Sequence, residues 1–515
     1  MKKIIYISMV TAVLSFLGAC SSDYLDTAPQ SATGTTTIFE TTENAAMAVN
    51  GLAKMMTMQY LGSQGFNGEG TIKMYYGEYP GNNFYVNLPG WAAIINATYN
   101  ESVSSIYLYY PWYYYYKLIG NANTIIAYID DAEGSDSDKE FIKAQALTYR
   151  AYSFTMLAQL YCYRWSDSNN GASNGLVLRT DLSTGDMPSS TLLETYQLIY
   201  DDLDEAIALY KSSFDSSKKD RASSEFFHPN MNVAYAIYAR AALARQDYAT
   251  ASANAKLART GFPLMGVSDY KAGFANPTSE WIWGCYGASD ETLFFYSYQA
   301  YIAYNSTASA VRTYPKCISK EIYDKIPATD IRRDLFLDPT GYTYTTASGA
   351  ASAPLAARAR ELYPDLDAAA AIYAYMQFKV KANDMPGVGN MNNFRSSEMY
   401  LIEAEAEHFL NNPTKAQSVL VELTKSSGRD PSYACTKTGA DLLKEIKFYR
   451  AVELWGEGFD WFDMKRWGDP IVRKTYEDGG SFLAALAVTI QPQERNKWTW
   501  KIPLKETDYN HDLMP

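Results

Sequence analysis

Four acidic residues lie close together near the C-terminus, in and just before the segment WGEGFDWFD: Glu453, Glu457, Asp460 and Asp463. Paired carboxylates could hydrolyse a glycosidic bond, because one can act as general acid and the other as nucleophile or base. Basic residues lie beside them, however, namely Arg450, Lys465 and Arg466. We therefore favour structural ion pairs over catalysis. The chain also contains no nucleophile elbow, phosphate loop or HExxH motif, so we predict no enzymatic activity and no cofactor.

Aromatic side chains are the other abundant functional groups, with 44 Tyr, 21 Phe and 10 Trp in 515 residues. The segment YLYYPWYYYYK, residues 107–117, concentrates seven tyrosines and one tryptophan. Tyrosine suits both a buried helix and a wet binding surface, because it carries an apolar ring and a polar hydroxyl. Pro111 fits the first turn of a helix, and a helix that is aromatic on all faces is usually buried. We therefore predict that this stretch mainly packs in the core.

Composition excludes several classes of protein. The apolar content of 47% and the charged content of 20% are those of a folded globular protein. The formal charge is −12, and the chain has no block of lysine or arginine that could neutralise nucleic-acid phosphates. Metal-ligand patterns are also missing, because the chain has three histidines and no CxxC pair. We predict no nucleic-acid partner, no metal site, and no disulfide among Cys162, Cys285, Cys317 and Cys435.

The N-terminus has the pattern of an export signal. A short cationic start, MKK, is followed by 16 mostly apolar residues, which is short for a transmembrane helix. The ending LGAC resembles a bacterial lipobox, in which the cysteine, here Cys20, is diacylated. A plain secretory signal with a chance cysteine is the alternative. Asp23 and Asp26 resemble a signal for export to the outer face of an outer membrane, so we expect a lipid as the only membrane anchor.

Residue periodicity predicts a mainly α-helical protein with a few short strands. Residues at helical spacing predict helices near 44–60, 101–131, 138–163, 189–212, 230–245, 248–260, 395–411, 413–427 and 438–455. Strand-like pieces are residues 176–180, 281–286 and 293–298.

Two helical pairs repeat the same spacing of small residues. Tyr235, Ala239 and Ala251 lie at offsets 0, 4 and 16, and Tyr400, Ala404 and Ala416 repeat those offsets. Small residues at fixed places let paired helices approach closely, as in tetratricopeptide (TPR) units. Ala206 could occupy the corresponding place in a third unit. Generic helical hairpins are the alternative.

Four segments together resemble the SusD-like (RagB) family of outer-membrane nutrient-binding lipoproteins. In chain order they are PWYYYYKLIGNANTIIAYID, KAQALTYRAYSFTMLAQLYC, RSSEMYLIEAEAEHFL and RAVELWGEGFDWFDMKRWG. The closing segment WKIPLKETDYNHDL also fits the family, and with LGAC these signatures span residues 17 to 513. Residues 61–99 and about 264–390 match no family pattern.

The resemblance implies a fold, a task and a partner. It implies a mainly α fold with TPR-like hairpins and a large loop-rich insertion. Proteins of this family capture glycan oligomers and act as lids on SusC-like TonB-dependent outer-membrane transporters, without hydrolysing the glycan. The expected organisation is a signal peptide (1–19), a lipid-anchored tether (20–43) and one body (44–515). TPR-like helices are expected at about 101–260 and 395–455, with a variable ligand-side region at about 264–390.

Two aromatic and amide-rich segments are candidates for the oligosaccharide site that the resemblance implies. A sugar ring has an apolar C–H face and a rim of hydroxyls, so its site needs exposed rings beside amides. GNNFYVNLPGW supplies Asn82, Asn83, Tyr85 and Trp91, whereas YSYQAYIAYN supplies Tyr296, Tyr298, Tyr301 and Tyr304. Core burial is the alternative for each ring. Two other functions stay open: a TPR-type surface protein that binds proteins or peptides, and a surface glycoside hydrolase that uses Glu457 or Asp463.

Overall fold

The computed structural model describes residues 35–62, 65–288 and 296–513. The predicted signal peptide and the predicted lipid attachment at Cys20 lie outside the described residues. The longer α-helices are, in chain order, α1 (Thr42–Met55), α2 (Ile106–Tyr128), α3 (Asp136–Tyr161), α4 (Leu192–Ser217), α5 (Met231–Arg245), α6 (Tyr248–Ala258), α7 (Ala353–Leu362), α8 (Ser396–Phe409), α9 (Pro413–Val421), α10 (Gly439–Glu453) and α11 (Asp460–Trp467).

The strands are short and form three antiparallel pairs in the described chain. They are β1 (Phe84–Val86) with β3 (Lys316–Ile318), β2 (Trp281–Cys285) with β4 (Met391–Arg395), and β5 (Ile471–Val472) with β6 (Thr489–Ile490). The predicted mainly α fold is confirmed. The predicted strand at 281–286 is also confirmed, but residues 176–180 form no strand. Within the described residues, no helix combines the length and the apolar character needed to cross a membrane.

Local sequence signals determine where these helices begin and end. A capping box starts α4, where the Thr191 hydroxyl and the Glu194 carboxylate satisfy each other's backbone N–H groups. The turn between α5 and α6 places Gln246 in the left-handed region at φ 63°. Asp247 then caps α6 by accepting a hydrogen bond from the Thr250 N–H.

The repeated alanines lie where the helices pack. Ala239, Ala251, Ala404 and Ala416 are fully buried, in the pairs α5–α6 and α8–α9, and α6 also packs against α8. A methyl side chain allows this close approach without leaving a cavity. Ala206 on α4 is equally buried. The hairpins that the spacing predicts are therefore present and stacked.

The tyrosine-rich stretch lies in α2 and packs mainly into the core. Tyr114 and Tyr115 are fully buried, and their hydroxyls donate hydrogen bonds to the Glu69 carboxylate at 3.2 and 3.0 Å. Tyr152 on α3 donates a third, at 2.5 Å. Burial raises the pKa of Glu69, and the three phenols satisfy its oxygens.

Pro111 lies inside α2 and not in its first turn, so that prediction was wrong. Proline has no N–H to offer the carbonyl of Tyr107, four residues earlier. The Tyr76 hydroxyl replaces it and donates to that carbonyl at 2.8 Å. The next pair of backbone groups along the helix is the Leu108 carbonyl and the Trp112 N–H, and the Tyr161 hydroxyl lies between them. It donates to the Leu108 carbonyl at 2.5 Å and accepts from the Trp112 N–H at 3.1 Å. Side-chain hydroxyls thus complete the backbone hydrogen bonding around the proline.

We predict that Tyr161→Phe lowers the free energy of unfolding by about 1–3 kcal/mol, because it leaves two buried backbone groups without a partner. Thermal unfolding followed by circular dichroism measures the change. Tyr509→Phe is the control, because it removes a hydroxyl from a ring that is 82% exposed. An unchanged unfolding temperature in Tyr161→Phe would contradict the role of this hydroxyl.

Candidate ligand-binding site

The structure joins parts of the two predicted aromatic segments through a residue that lies in neither. Trp91 packs edge-on against Tyr75, with ring centroids 4.8 Å apart. Tyr75 packs edge-on against Tyr301 at 5.4 Å, and Tyr301 lies 6.3 Å from Tyr296. Tyr75 belongs to the π-helix Ile72–Glu78, whereas Tyr301 belongs to the short helix Tyr298–Ile302. Trp91 closes a 3-10 turn, Pro89–Trp91.

Two further rings extend this group on the side of α2. Tyr107 lies 6.2 Å from Tyr75 and 6.4 Å from Trp91, and Tyr99 stacks on Tyr107 at 4.6 Å. We call these six residues the aromatic cluster: Tyr75, Trp91, Tyr99, Tyr107, Tyr296 and Tyr301.

Exposure divides the aromatic cluster into an inner pair and an outer set. Tyr75 and Tyr301 are only 2% and 5% exposed, whereas the other four rings are each partly exposed. The inner rings therefore support the outer ones. An aromatic surface with such a rigid base offers flat apolar faces to a ligand with little loss of side-chain entropy.

The inner pair is held by its own hydroxyls. The Tyr75 and Tyr301 oxygens lie 2.5 Å apart, in a buried hydrogen bond. Burial raises the pKa of Tyr75 well above its usual value, so this phenol stays neutral. Gly65 makes room for the contact: a Cβ there would lie 2.8 Å from the Tyr75 oxygen, and its φ of 91° favours glycine.

The predicted amide residues lie elsewhere and are engaged within the protein. Asn82 donates to the Pro470 carbonyl at 3.0 Å and accepts from the Val472 N–H at 2.8 Å. Asn83 donates its backbone N–H and its side-chain amide to the two oxygens of Asp460, at 2.6 and 2.8 Å. These amides fasten the loop before β1 to the C-terminal part of the chain. A role for them in ligand binding stays a prediction.

Three predicted tyrosines lie in the core and not on solvent-facing loops. Tyr85 is buried, as is every residue of β1. Tyr298 donates its hydroxyl to the Gly456 carbonyl at 2.8 Å, and Tyr304 donates to the Asp365 carboxylate at 2.9 Å. Ligand contact by these three rings stays an untested prediction, whereas Trp91 and Tyr296 are the predicted rings that reach solvent.

Sequence reasoning missed three members of the aromatic cluster: Tyr75, Tyr99 and Tyr107. Tyr107 is the first residue of the tyrosine run that we predicted to pack in the core. Tyr114 and Tyr115 of that run do pack there. The available signal was the position of Tyr99 and Tyr107 on either side of the polar stretch NESVSSI. Ser105, in that stretch, caps the start of α2, so Tyr107 lies in the first turn of the helix. There its ring stacks on the ring of Tyr99.

Three of the four acidic residues considered for catalysis are paired with cations in the core, whereas Asp460 forms no ion pair within the described residues and accepts hydrogen bonds from Asn83. Glu453 accepts hydrogen bonds from three guanidinium groups: Arg395 at 2.8 Å, Arg429 at 3.0 Å and Arg332 at 2.9 Å. All four side chains are at most 1% exposed. The cations outweigh the effect of burial and hold the pKa of Glu453 well below its usual value.

Glu457 continues the same network. Its carboxylate accepts from Arg395 at 2.7 Å and from Lys379 at 2.6 Å. Burial opposes its ionisation, but these two cations outweigh burial and hold its pKa at about 2. The complete network, which we call the buried ion network, contains Arg332, Lys379, Arg395, Arg429, Glu280, Asp330, Glu453 and Glu457.

Asp463 is paired as the sequence predicts. It accepts from Arg450 at 2.5 Å and from Arg466 at 2.8 Å. Lys465 is different, because it donates to the carbonyls of Leu160 and Cys162 and pairs with no carboxylate of the described residues. Glu453, Glu457 and Asp463 therefore act as structural ion-pair partners.

The segment at Gly456 and Glu457 connects the buried ion network to the aromatic cluster. Lys73 donates its ammonium to the Glu457 carbonyl at 2.8 Å, and Lys73 lies on the same π-helix as Tyr75. Tyr298, on the same short helix as Tyr301, donates to the Gly456 carbonyl. Both halves of the inner aromatic pair are thus anchored on one two-residue segment.

Comparison with known proteins places the chain in a family. A family model described as "SusD family" matches residues 241–515, which is more than half of the chain. A second model, described as "Starch-binding associating with outer membrane", matches residues 23–243. No curated protein matches the chain significantly. The family resemblance inferred from the four signature segments is therefore confirmed.

Solved structures share the fold at low sequence identity. A SusD-like carbohydrate binding protein from Bacteroides vulgatus ATCC 8482 has a TM-score of 0.72 at 23% identity, covering 92% of this chain and 98% of that chain. A SusD superfamily protein from Bacteroides thetaiotaomicron VPI-5482 has a TM-score of 0.71 at 22% identity, covering 92% and 99%. One from Bacteroides fragilis has a TM-score of 0.69 at 18% identity, covering 93% and 100%.

We predict that Glu457→Gln is destabilised by about 3–5 kcal/mol at pH 7, because it leaves Arg395 and Lys379 without their shared counter-ion. The folded-state pKa of Glu457 is about 2, below the usual 4.5. The carboxylate therefore stabilises the fold above about pH 4.5, and this stabilisation disappears as the pH falls towards 2. The difference in unfolding temperature between Glu457→Gln and wild type should therefore shrink as the pH is lowered from 7 to 3.

The matched control is Glu477→Gln, which removes a carboxylate from the exposed surface. It should leave the unfolding temperature nearly unchanged at every pH. A difference between Glu457→Gln and wild type that stayed constant from pH 7 to pH 3 would show that the charge of Glu457 is not what stabilises the fold.

Proposed function

This chain belongs to the SusD family, and from that premise we propose that it is a cell-surface lipoprotein that binds oligosaccharides through the aromatic cluster. It then delivers them to a SusC-like TonB-dependent outer-membrane transporter. The observation that carries the proposal is the partly exposed set of rings around Trp91, supported by the buried pair Tyr75 and Tyr301.

The chemistry of the aromatic cluster supports a sugar ligand. Pyranose rings have an apolar C–H face that packs on an aromatic face, and the hydroxyls around the ring hydrogen-bond to nearby polar groups. Trp91 and Tyr107 offer such faces together, since their centroids are 6.4 Å apart. A related solved structure is described as a carbohydrate binding protein, and one matching family model as starch-binding.

Attachment and delivery rest on the sequence and the family. The LGAC segment supports lipid attachment at Cys20 after removal of residues 1–19. The description of the second family model, association with the outer membrane, supports the location. The transporter partner follows from the family resemblance, in which a lid protein closes over the barrel.

Binding without hydrolysis is the mode that the ion pairs support. A glycosidase needs an acid and a second carboxylate on opposite sides of the scissile bond. Glu457 and Asp463, which the hydrolase alternative would use, are buried and paired with Arg395 and Arg450. The proposed mechanism is non-covalent capture and release.

We expect Trp91→Ala to weaken glycan binding at least tenfold, which corresponds to about 1.4 kcal/mol, because it removes the largest exposed ring of the aromatic cluster. The measurement is calorimetric titration of the lipid-free mature chain, residues 21–515, against a panel of plant, host and microbial glycans. Tyr509→Ala is the control, because it removes an exposed ring outside the aromatic cluster.

The two parts of the proposal can fail separately. Glycan binding that is unchanged in Trp91→Ala would keep the function and reject the aromatic cluster as its site. Binding to no glycan in the panel, together with co-purification of a protein or peptide, would favour the TPR-type alternative.

A further inference from the structure

A concavity separate from the aromatic cluster is lined in part by the loop that carries Asn82 and Asn83. It has a volume of about 630 Å³ and is bounded by α10, α11, this loop and residues 322–327. None of its lining residues belongs to the aromatic cluster. We call it the lysine groove, after the lysines that line it: Lys325, Lys437, Lys444 and Lys447.

Cations outnumber anions along the lysine groove. Its four lysines face three lining carboxylates, which are Glu445, Asp460 and Asp469. The chain as a whole carries a formal charge of −12. The excess among the lining residues is one charge, so attraction of an anionic ligand depends on the exposed ammonium groups of Lys325 and Lys444.

Two of the lysines are available to a ligand. Lys325 is exposed, and its ammonium forms no ion pair with any residue in the described ranges. Among the described residues, Lys444 forms an ion pair with Asp441 alone, and the two side chains are 77% and 73% exposed. Such an exposed pair is weak, so an incoming anion can replace Asp441. Lys437 and Lys447, by contrast, are engaged with Glu445 and Asp469.

The floor of the lysine groove is partly apolar. Phe448 on α10 is half-buried and lines it together with Met464 on α11. The Asn82 and Asn83 amides form one wall, but their hydrogen bonds are already made within the protein. An aromatic face beside free ammonium groups suits a ring that has both an apolar C–H face and a fixed negative charge.

We propose that the lysine groove binds acidic sugar units, uronates or sulfate esters, of an oligosaccharide that the protein captures. The inference rests on the proposed glycan-binding function and adds a second site with its own ligand class. Lys325 and Lys444 hold the negative charge as mobile point charges, and Phe448 supports the ring.

The experiment compares acidic glycans with their neutral counterparts. Polygalacturonate, alginate and chondroitin sulfate oligomers are titrated into wild type, beside the same oligomers after carboxyl reduction or desulfation. Lys325→Ala/Lys444→Ala tests the lysine groove, and Lys211→Ala, which removes an exposed lysine on α4, is the control. Both substituted lysines are exposed, so the double variant should keep the wild-type unfolding temperature.

At least one acidic oligomer should bind, and the double variant should weaken its binding about fivefold or more, since each exposed charge contributes modestly. Removing the ligand charge, or raising the salt concentration, should have a similar effect. Carboxyl reduction and desulfation separately identify which anion is held. Lys211→Ala should bind as wild type does.

Equal binding of acidic and neutralised oligomers, or equal binding by wild type and the double variant, would overturn the lysine groove as a site. The proposed glycan-binding function would survive that result if Trp91→Ala still weakened binding of a neutral glycan. Binding to neutral glycans alone would also overturn the inference while keeping the function. Binding to no glycan would remove both.

Discussion

Eight buried charged side chains, four cations and four anions, tie together parts of the chain that are far apart in sequence. Glu280 immediately precedes β2 and Arg395 is the last residue of β4, whereas Glu453 and Glu457 come from the end of α10 and the loop after it. The remaining members of the buried ion network are Asp330, Arg332, Lys379 and Arg429. Each charge costs several kcal/mol to bury alone, so a fold that left any one member without its partners would contain an uncompensated buried charge. The buried ion network therefore requires one arrangement of these segments.

That arrangement also places the aromatic cluster. The Gly456 and Glu457 carbonyls accept hydrogen bonds from Tyr298 and Lys73, whose helices carry Tyr301 and Tyr75. The two inner tyrosines, 226 residues apart in sequence, meet in a single hydrogen bond. Side chains on two short helices are thus hydrogen-bonded to one segment and to each other. A rigid ring surface loses little entropy when a ligand binds, which favours capture of flexible oligosaccharides.

The helical part of the fold could be predicted because its signals are local. The spacing of apolar and alanine residues predicted α5 at 230–245, and the structure has Met231–Arg245. The site was less predictable, because exposure depends on distant contacts. Nothing near Tyr304 in sequence indicates that Asp365 will accept its hydroxyl, and nothing near Asn83 indicates that Asp460 lies within hydrogen-bonding distance. Trp91 and Tyr301 were selected in separate segments, but only the fold brings Tyr75 between them.

The most direct test of the aromatic cluster is a crystal structure of the mature protein with a bound oligosaccharide. We predict a sugar ring stacked on Trp91 or Tyr296, with the hydroxyl pair of Tyr75 and Tyr301 intact beneath it. A sugar bound elsewhere on the described surface, with Trp91 and Tyr296 both uncontacted, would contradict the assignment of the aromatic cluster as the glycan-binding site.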